Sequence, residues 1–247
     1  MRMLAFAKRC MKEILRDPIN LFFGLGFPVV LLLLLSAIQA NVPVSIFEIE
    51  SLTPGITVFG LSFMTLFSAT LIAKDRESSL LQRLYTTPLK SADYILGYML
   101  PLVPISMAQS LVCYIVAVFL GLPITVNILY AVLMTVPVAI FYIALGLLFG
   151  SIFNVKQVGG ICGGLLTNLS AWLSGAWFDI ELVGGAFQKT ANVLPFIHAV
   201  ELEKTILNGN FTESLKHLYI VLAYGIGIMI GAIWMFLRQA KNNKVKI

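Results

Sequence analysis

Charge is what this sequence has least of. Asp, Glu, Lys and Arg make up 12% of its 247 residues, about half the share found in an ordinary soluble domain. Hydrophobic residues make up 59% and the mean hydropathy is +0.92. So few charges cannot cover a water-facing surface, which excludes a soluble globular protein, and the same balance excludes an intrinsically disordered one. There are only two histidines and three cysteines. Cys10, Cys113 and Cys162 have no metal-ligand spacing and fall outside the expected external segments, so neither a disulfide framework nor a metal site is implied. No Gly-x-x-x-x-Gly-Lys-[Ser/Thr] loop is present. The run Gly159-Gly160-Ile161-Cys162-Gly163-Gly164 lies in an apolar stretch and no lysine follows it, so it does not cradle phosphates. Alternating segments of about ten residues, the mark of a membrane β-barrel, are also missing.

What is present is a set of six apolar stretches, each long enough to cross a membrane as a helix: Leu21–Ala40, Thr53–Ala73, Tyr94–Leu120, Ile128–Phe153, Val158–Phe178 and Leu218–Leu237. None contains Asp, Glu, Lys, Arg or His. Proton- and ion-coupled carriers keep such groups inside the membrane, so their absence argues against that class and suits an apolar or amphipathic cargo. Pro101, Pro104 and Pro137 are expected kink points. The 17 Lys and Arg residues sort by side. The N-terminus, residues 74–93, residues 154–157 and the C-terminal tail carry 14; residues 41–52, 121–127 and 179–217 carry 3. This bias predicts both termini on the cytoplasmic side of a plasma membrane, and the sorting also argues against a nucleic-acid patch. The first apolar run is too long for a secretory signal and is read as a retained helix.

Outside the spans, residues 1–18 read as an amphipathic interfacial helix, with Leu4, Ala7, Met11, Ile14 and Leu15 on one face and Lys8, Arg9, Lys12, Glu13 and Arg16 on the other. Arg16, Asp17 and Pro18 mark its end, where Asp17 can cap and Pro18 can open the next helix. In residues 74–90, Asp75 or Ser78 could cap a short helix with an apolar side of Leu80, Leu81 and Leu84, ended by Pro88. Such a helix suits a groove on a soluble partner. Gly159/Gly163 and Gly160/Gly164 are spaced for close helix packing, within the chain or between subunits. Thr57, Thr65, Ser68, Gln109 and Asn168 are candidate pathway residues, or helix-to-helix contacts. Residues 179–217 are semi-apolar and interrupted by Gly184-Gly185 and Pro195, predicting two short helices at the outer interface and an external gate that includes Pro195, His198 and Glu201. His198, Glu201 and Glu203 are too small a set to imply a metal site. Asn210-Phe211-Thr212 matches the glycosylation pattern. Ser174-Gly175 lacks the surroundings of an intramembrane nucleophile, since neither histidine lies in a span.

Three segments carry a family resemblance: Leu15-Arg16-Asp17-Pro18 before the first span; Arg76-Glu77-Ser78-Ser79-Leu80-Leu81-Gln82-Arg83-Leu84-Tyr85-Thr86-Thr87-Pro88-Leu89; and Leu194-Pro195-Phe196-Ile197-His198-Ala199-Val200-Glu201. In this order, on six spans, they resemble the permease subunits of type-2 ATP-binding-cassette (ABC) exporters. The resemblance implies a single all-α membrane domain over 1–247 with a coupling helix at 74–90 and an external hairpin at 179–217. It implies no catalysis in this chain. A separate ATPase subunit would bind ATP and Mg and dock on Glu77, Leu80, Leu81, Arg83 and Leu84, and a second copy or a similar permease would complete the pathway. The alternative is an ATP-independent carrier or scaffold.

Overall fold

A computed structural model describes residues 2–43, 47–78, 80, 91–178 and 180–244. The described residues are helical, with no strand among them. The elements are α1 (Arg2–Leu15), α2 (Pro18–Gln39), α3 (Ile49–Glu77), α4 (Ser91–Met99), α5 (Leu102–Phe119), α6 (Val126–Ile152), α7 (155–173), α8 (Ile180–Val183), α9 (Gly185–Val193), α10 (Pro195–Leu207) and α11 (Phe211–Lys244). Among the described residues, five stretches are long and apolar enough to cross a membrane: Pro18–Gln39, Ile49–Glu77, Asp93–Phe119, Val126–Ile152 and Phe211–Arg238. The chain is a multi-pass membrane protein.

The stretch expected as the fifth span is α7. It is helical throughout, but glycine-rich and carrying Lys156, Gln157, Thr167 and Asn168, it is not among those five. Its middle, Gly159–Leu166, is a π-helix, as is Phe22–Gly26 within α2. At Leu100–Pro101 the helix assignment is interrupted while Pro101 keeps right-handed helical dihedrals (φ −71°, ψ −26°), whereas Pro137 sits inside an uninterrupted α6. The external segment forms three helices rather than two, and α11 begins at Phe211, seven residues before the expected span.

The centre of the bundle is α3, buried along nearly its whole length. Its small and hydroxylated residues explain why. Thr65 Oγ1 donates to the Tyr142 carbonyl at 2.8 Å and Ser68 Oγ to the Ile143 carbonyl at 3.1 Å, both on α6. These bonds require backbones in near contact. Gly146 provides that approach, for a Cβ there would fall on Ser68 Oγ and the Thr65 carbonyl oxygen, and one at Gly150 would lie 2.6 Å from the Ala69 carbonyl oxygen. Around this seam pack Phe141, Tyr142 and Ile143 of α6, Tyr114 of α5 and Val200 of α10.

The helix α10 ends in a two-bond reversal. The Gly209 amide donates to the Ile206 carbonyl at 3.0 Å and the Asn210 amide to the Thr205 carbonyl at 2.8 Å, with Gly209 at φ +78°. That left-handed position is one glycine adopts without strain, and it turns the chain directly into α11.

Gly146→Ala should lower the thermal unfolding midpoint of the detergent-solubilised protein, at a cost of about 1–3 kcal/mol for overpacking. Gly227→Ala, where an added Cβ meets nothing within 4 Å, should leave the midpoint unchanged or slightly raised. Equal effects of the two would mean that α3 and α6 do not pack as described.

Candidate functional site

The last turn of α3 is Lys74-Asp75-Arg76-Glu77. Consecutive residues of a helix point about 100° apart, so these four side chains reach different neighbours. Asp75 is nearly fully buried, its side chain 2% exposed, and takes both guanidinium nitrogens of Arg9 at 2.5 Å. Tyr98 of α4 donates to the same carboxylate at 2.8 Å. Lys74 Nζ lies 3.7 Å from Asp17 Oδ2. Arg76 donates to the Ser151 and Phe153 carbonyls, the second at 2.5 Å, closing the C-terminal end of α6. Glu77 Oε1 accepts from the Val155 amide at 2.9 Å, beside the Asn154 cap that opens α7. One helical turn therefore fastens α1, the α1–α2 corner, α4, α6 and α7 at the point where the chain enters residues 78–90.

A two-toothed Arg–carboxylate pair is strong because two parallel charge-assisted bonds share one plane. The Asp75 hydrogen bond and charge hold the Arg9 guanidinium even further above its ordinary value. Glu13 adds a bond to Arg9 at 2.8 Å. Phe6 packs edge-on to Tyr94 and Tyr98, with centroids 5.9 and 4.9 Å away, over Gly97, where a Cβ would strike its ring. The buried face of α1 is Phe6, Ala7, Cys10 and Ile14. This corrects the face expected from sequence: Leu4 and Leu15 are 56% and 57% exposed, and Arg9 turns inward because Asp75 lies there. Burial pushes the Cys10 thiol up to about 12.

Other expected residues fall as follows. Asp17 caps α2 by accepting from the Asn20 amide at 3.2 Å, with Pro18 at the first position, and Arg16 is exposed. Asp75 lies inside α3 rather than capping a new helix, and Ser78 closes the end of α3; a helix capped by Ser78 would run through residues 81–90, which lie outside the described residues. Leu81, Arg83 and Leu84 are therefore not described, and neither is Ser79 on the other side of Leu80. Thr57, Thr65, Ser68 and Gln109 are fully buried. Thr65 and Ser68 bond to α6, and Gln109 Nε2 donates to the Thr57 carbonyl at 3.4 Å, while Thr57 Oγ1 and Gln109 Oε1 have no hydrogen-bond partner among the described residues. Asn168 is exposed and donates to the Gly164 carbonyl at 2.7 Å. Around Gly159, Gly160 and Gly164 the chain leaves open space, and a Cβ at Gly163 would lie 3.2 Å from Leu66.

At the other end of the bundle, Glu203 of α10 is fully buried and accepts from the Tyr114 hydroxyl at 2.7 Å. Among the described residues its Oε1 has no hydrogen-bond partner. Burial pushes its carboxyl up to about 8, against a smaller lowering by the Tyr114 bond. Sequence reasoning assigned Glu203 to an interfacial segment and did not foresee it in the core. The helical periodicity of Phe196, Ala199, Val200, Glu203 and Ile206, which puts them on one face, is the signal that could have found it. Glu201 pairs instead with Lys204 at 3.2 Å. With His198, it lines a polar cavity of about 670 Å³ between α10 and the start of α11, and Pro195 is the buried first residue of α10. Ser174 borders the same cavity, but its hydroxyl donates to the Ala171 carbonyl at 3.2 Å and accepts from the Ala176 amide at 3.3 Å, so no base activates it. Among the described residues no three His, Cys, Asp or Glu side chains converge as a metal site would require.

The sequence model of one known family, described as ABC-2 type transporter, matches residues 1–206. No curated protein and no solved structure matches the chain.

Asp75→Ala removes the interhelical partner of Arg9, which is part-exposed and keeps its bond to Glu13, and loosens α1 at a cost of about 1.5–3 kcal/mol, the range for a hydrogen bond to a charged group. The readout is Cys10, buried and unreactive toward maleimide in the intact protein and expected to label in the variant while Cys113 and Cys162 stay protected. Tyr98→Phe, which removes one hydrogen bond of about 1 kcal/mol, should label more slowly. An unlabelled Cys10 in Asp75→Ala would show that the pair does not hold α1.

A second check concerns Glu203. Its pKa is raised on folding, so the stability it contributes is complete at low pH and is lost as pH rises through about 8. Thermal stability should fall from about pH 5 to pH 8, between the ordinary glutamate value and the raised one, and Glu203→Gln should flatten that fall. An unchanged slope in the variant would remove Glu203 from the account.

Proposed function

The chain belongs to the ABC-2 type transporter family, and from that premise we propose that it is the permease subunit of an ATP-driven exporter. The observation that carries the coupling part of this reading is the four-residue turn Lys74-Asp75-Arg76-Glu77. Residues 78–90 begin where that turn ends, so a force applied there by a docked ATPase subunit is delivered at once to α1, α4, α6 and α7. In this reading Leu80, Leu81, Arg83 and Leu84 meet the ATPase. Glu77 serves the connection to α7 rather than the partner, because its carboxylate already accepts from the Val155 amide. ATP and Mg are bound by the partner, and α1 with Arg16, Asp17 and Pro18 acts as the lever.

Six crossings, with both termini at the cytoplasmic face of the plasma membrane, follow from the charge sorting, since five would place the basic ends on opposite sides. The sixth crossing is α7, whose nineteen residues span about 28 Å at 1.5 Å each. Its unfilled side, formed by Gly160, Gly164, Asn168 and Trp172, is the face offered to a second permease copy, where small residues and an amide favour helix association. A cargo of apolar or amphipathic character, such as a drug, a peptide antibiotic or a lipid-like molecule, suits a chain whose crevice between α4, α6 and α11, of about 450 Å³, is lined by Ile95, Met99, Ile140, Met229 and Ile233. Pro195, His198 and Glu201 belong to the outer gate.

Co-expression with candidate ATPase subunits and purification through this chain tests the reading. The intact chain should retain ATPase activity, and Leu81→Asp with Leu84→Asp should lose it while still inserting in the membrane. Failure to retain any ATPase subunit would turn the assignment toward an ATP-independent carrier or scaffold.

A further inference from the structure

Two histidines are all this sequence has, and the fold brings them together. His198 of α10 and His217 of α11 face each other with Nδ1 to Nδ1 at 2.9 Å and ring centroids 5.1 Å apart. On its other side His198 Nε2 lies 3.0 Å from the Asn192 carbonyl oxygen of α9. A carbonyl only accepts, so His198 carries its hydrogen on Nε2 and, when neutral, presents the Nδ1 lone pair to its partner. His217 must then donate from Nδ1. The result is a directed chain, His217 Nδ1–H to His198 Nδ1, then His198 Nε2–H to Asn192 O, which ties α9 and α10 to α11.

The chain has a definite proton capacity. A first added proton goes to His217 Nε2, which leaves the chain intact and strengthens the donor. A second must go to His198 Nδ1. It would set N–H against N–H and one imidazolium against another, and the bond is lost. We propose that His198 and His217 form a proton-operated latch that holds the hairpin of α9 and α10 against the last span and releases it in acid.

The surroundings fit this role. The pair opens on the polar cavity, which also receives Glu181 of α8, Glu201 and Lys204 of α10, and Glu213 and Lys216 of α11. Lys204 is engaged by Glu201 at 3.2 Å. The pKa of His198 is lowered, chiefly by burial and further by Lys216, against the raising effects of the Asn192 bond and Glu201. Release is therefore placed below the ordinary histidine range near 6.5. The Tyr224 hydroxyl donates to the Val193 carbonyl at 2.8 Å, which keeps the α9–α10 corner near α11 when the pair parts. The motion is accordingly a hinge of the hairpin rather than its loss. The latch stands on this geometry alone; that its opening gates an outward path rests on the permease reading.

Spin labels at Lys189→Cys in α9 and Tyr219→Cys in α11, both exposed sites, report the distance across the latch by pulsed electron paramagnetic resonance in lipid nanodiscs. The three native cysteines are buried and stay unlabelled. One narrow distance is expected at pH 8, and a longer population should grow in as pH falls to 5. His217→Gln should hold the short distance at both pH values, because its amide donates to a neutral His198 and accepts from a protonated one. His198→Phe should show the longer distance at both. No change in the wild type between pH 8 and pH 5, an acid shift that persists in His217→Gln, or a short distance throughout in His198→Phe would each overturn the latch. These distances need no ATPase, so a negative result leaves the permease reading to be decided by ATPase retention.

Discussion

A carboxylate buried at the end of a membrane-spanning helix must be neutralised or matched, and Asp75 is matched. Its partners come from two other helices, Arg9 of α1 and Tyr98 of α4, so satisfying one charge fixes the position of both. An isolated buried charge is too costly to persist, which makes the arrangement close to all-or-none: α1 sits where it does, or Asp75 cannot sit where it does. The neighbouring residues extend the same logic. Arg76 saturates carbonyls that α6 leaves open at its end and Glu77 an amide that α7 leaves open at its start, because helix termini expose such groups and need partners. The polar chemistry of this end is spent on joining elements.

The interior of the bundle follows a different rule. With hydrocarbon outside and hydrocarbon inside, apolar contact alone does little to choose one helix neighbour over another. Close approach at Gly146 and Gly150 and hydroxyl-to-carbonyl bonds from Thr65 and Ser68 select the α3–α6 pairing. These hydroxyl groups look like a pathway lining in one dimension. In three they are the seam, because a serine or threonine in a membrane helix serves water and a neighbouring carbonyl equally well and only packing decides which.

At the opposite end, α10 is treated as core rather than as interface. Phe196 packs against both Phe141 and Tyr142, with ring centroids 6.0 and 6.3 Å away, and Glu203 is drawn in with that face. A chain whose six apolar stretches hold no Asp, Glu, Lys, Arg or His thus has, beside Asp75, a second buried acid contributed by a segment next to them. Its single Tyr114 bond leaves one oxygen unmatched, consistent with a carboxyl that stays protonated to a higher pH than usual.

The sequence by itself determined the class of the protein. Low charge, long apolar runs and the sorting of 14 against 3 basic residues dictate a multi-pass helical membrane protein, because hydrocarbon tolerates no unpaired backbone and few charges. The Asp17–Pro18 start of α2 was equally legible, since capping is local and depends on residues only a few positions apart. The span expected at Val158–Phe178 is not among the five long apolar helices, because Lys156, Gln157, Asn168 and the glycines lower the hydropathy of α7. The partnerships of Arg9 with Asp75, Tyr114 with Glu203 and His198 with His217 were decided only by the tertiary structure. The first two join residues 66 and 89 positions apart. The third joins two helices across a turn, and which side chains meet there depends on helix rotations that no local spacing specifies. The inward face of α1 shows the same reason at work: hydrophobic periodicity predicts an amphipathic helix, but a single buried carboxylate on a distant helix sets which side faces in.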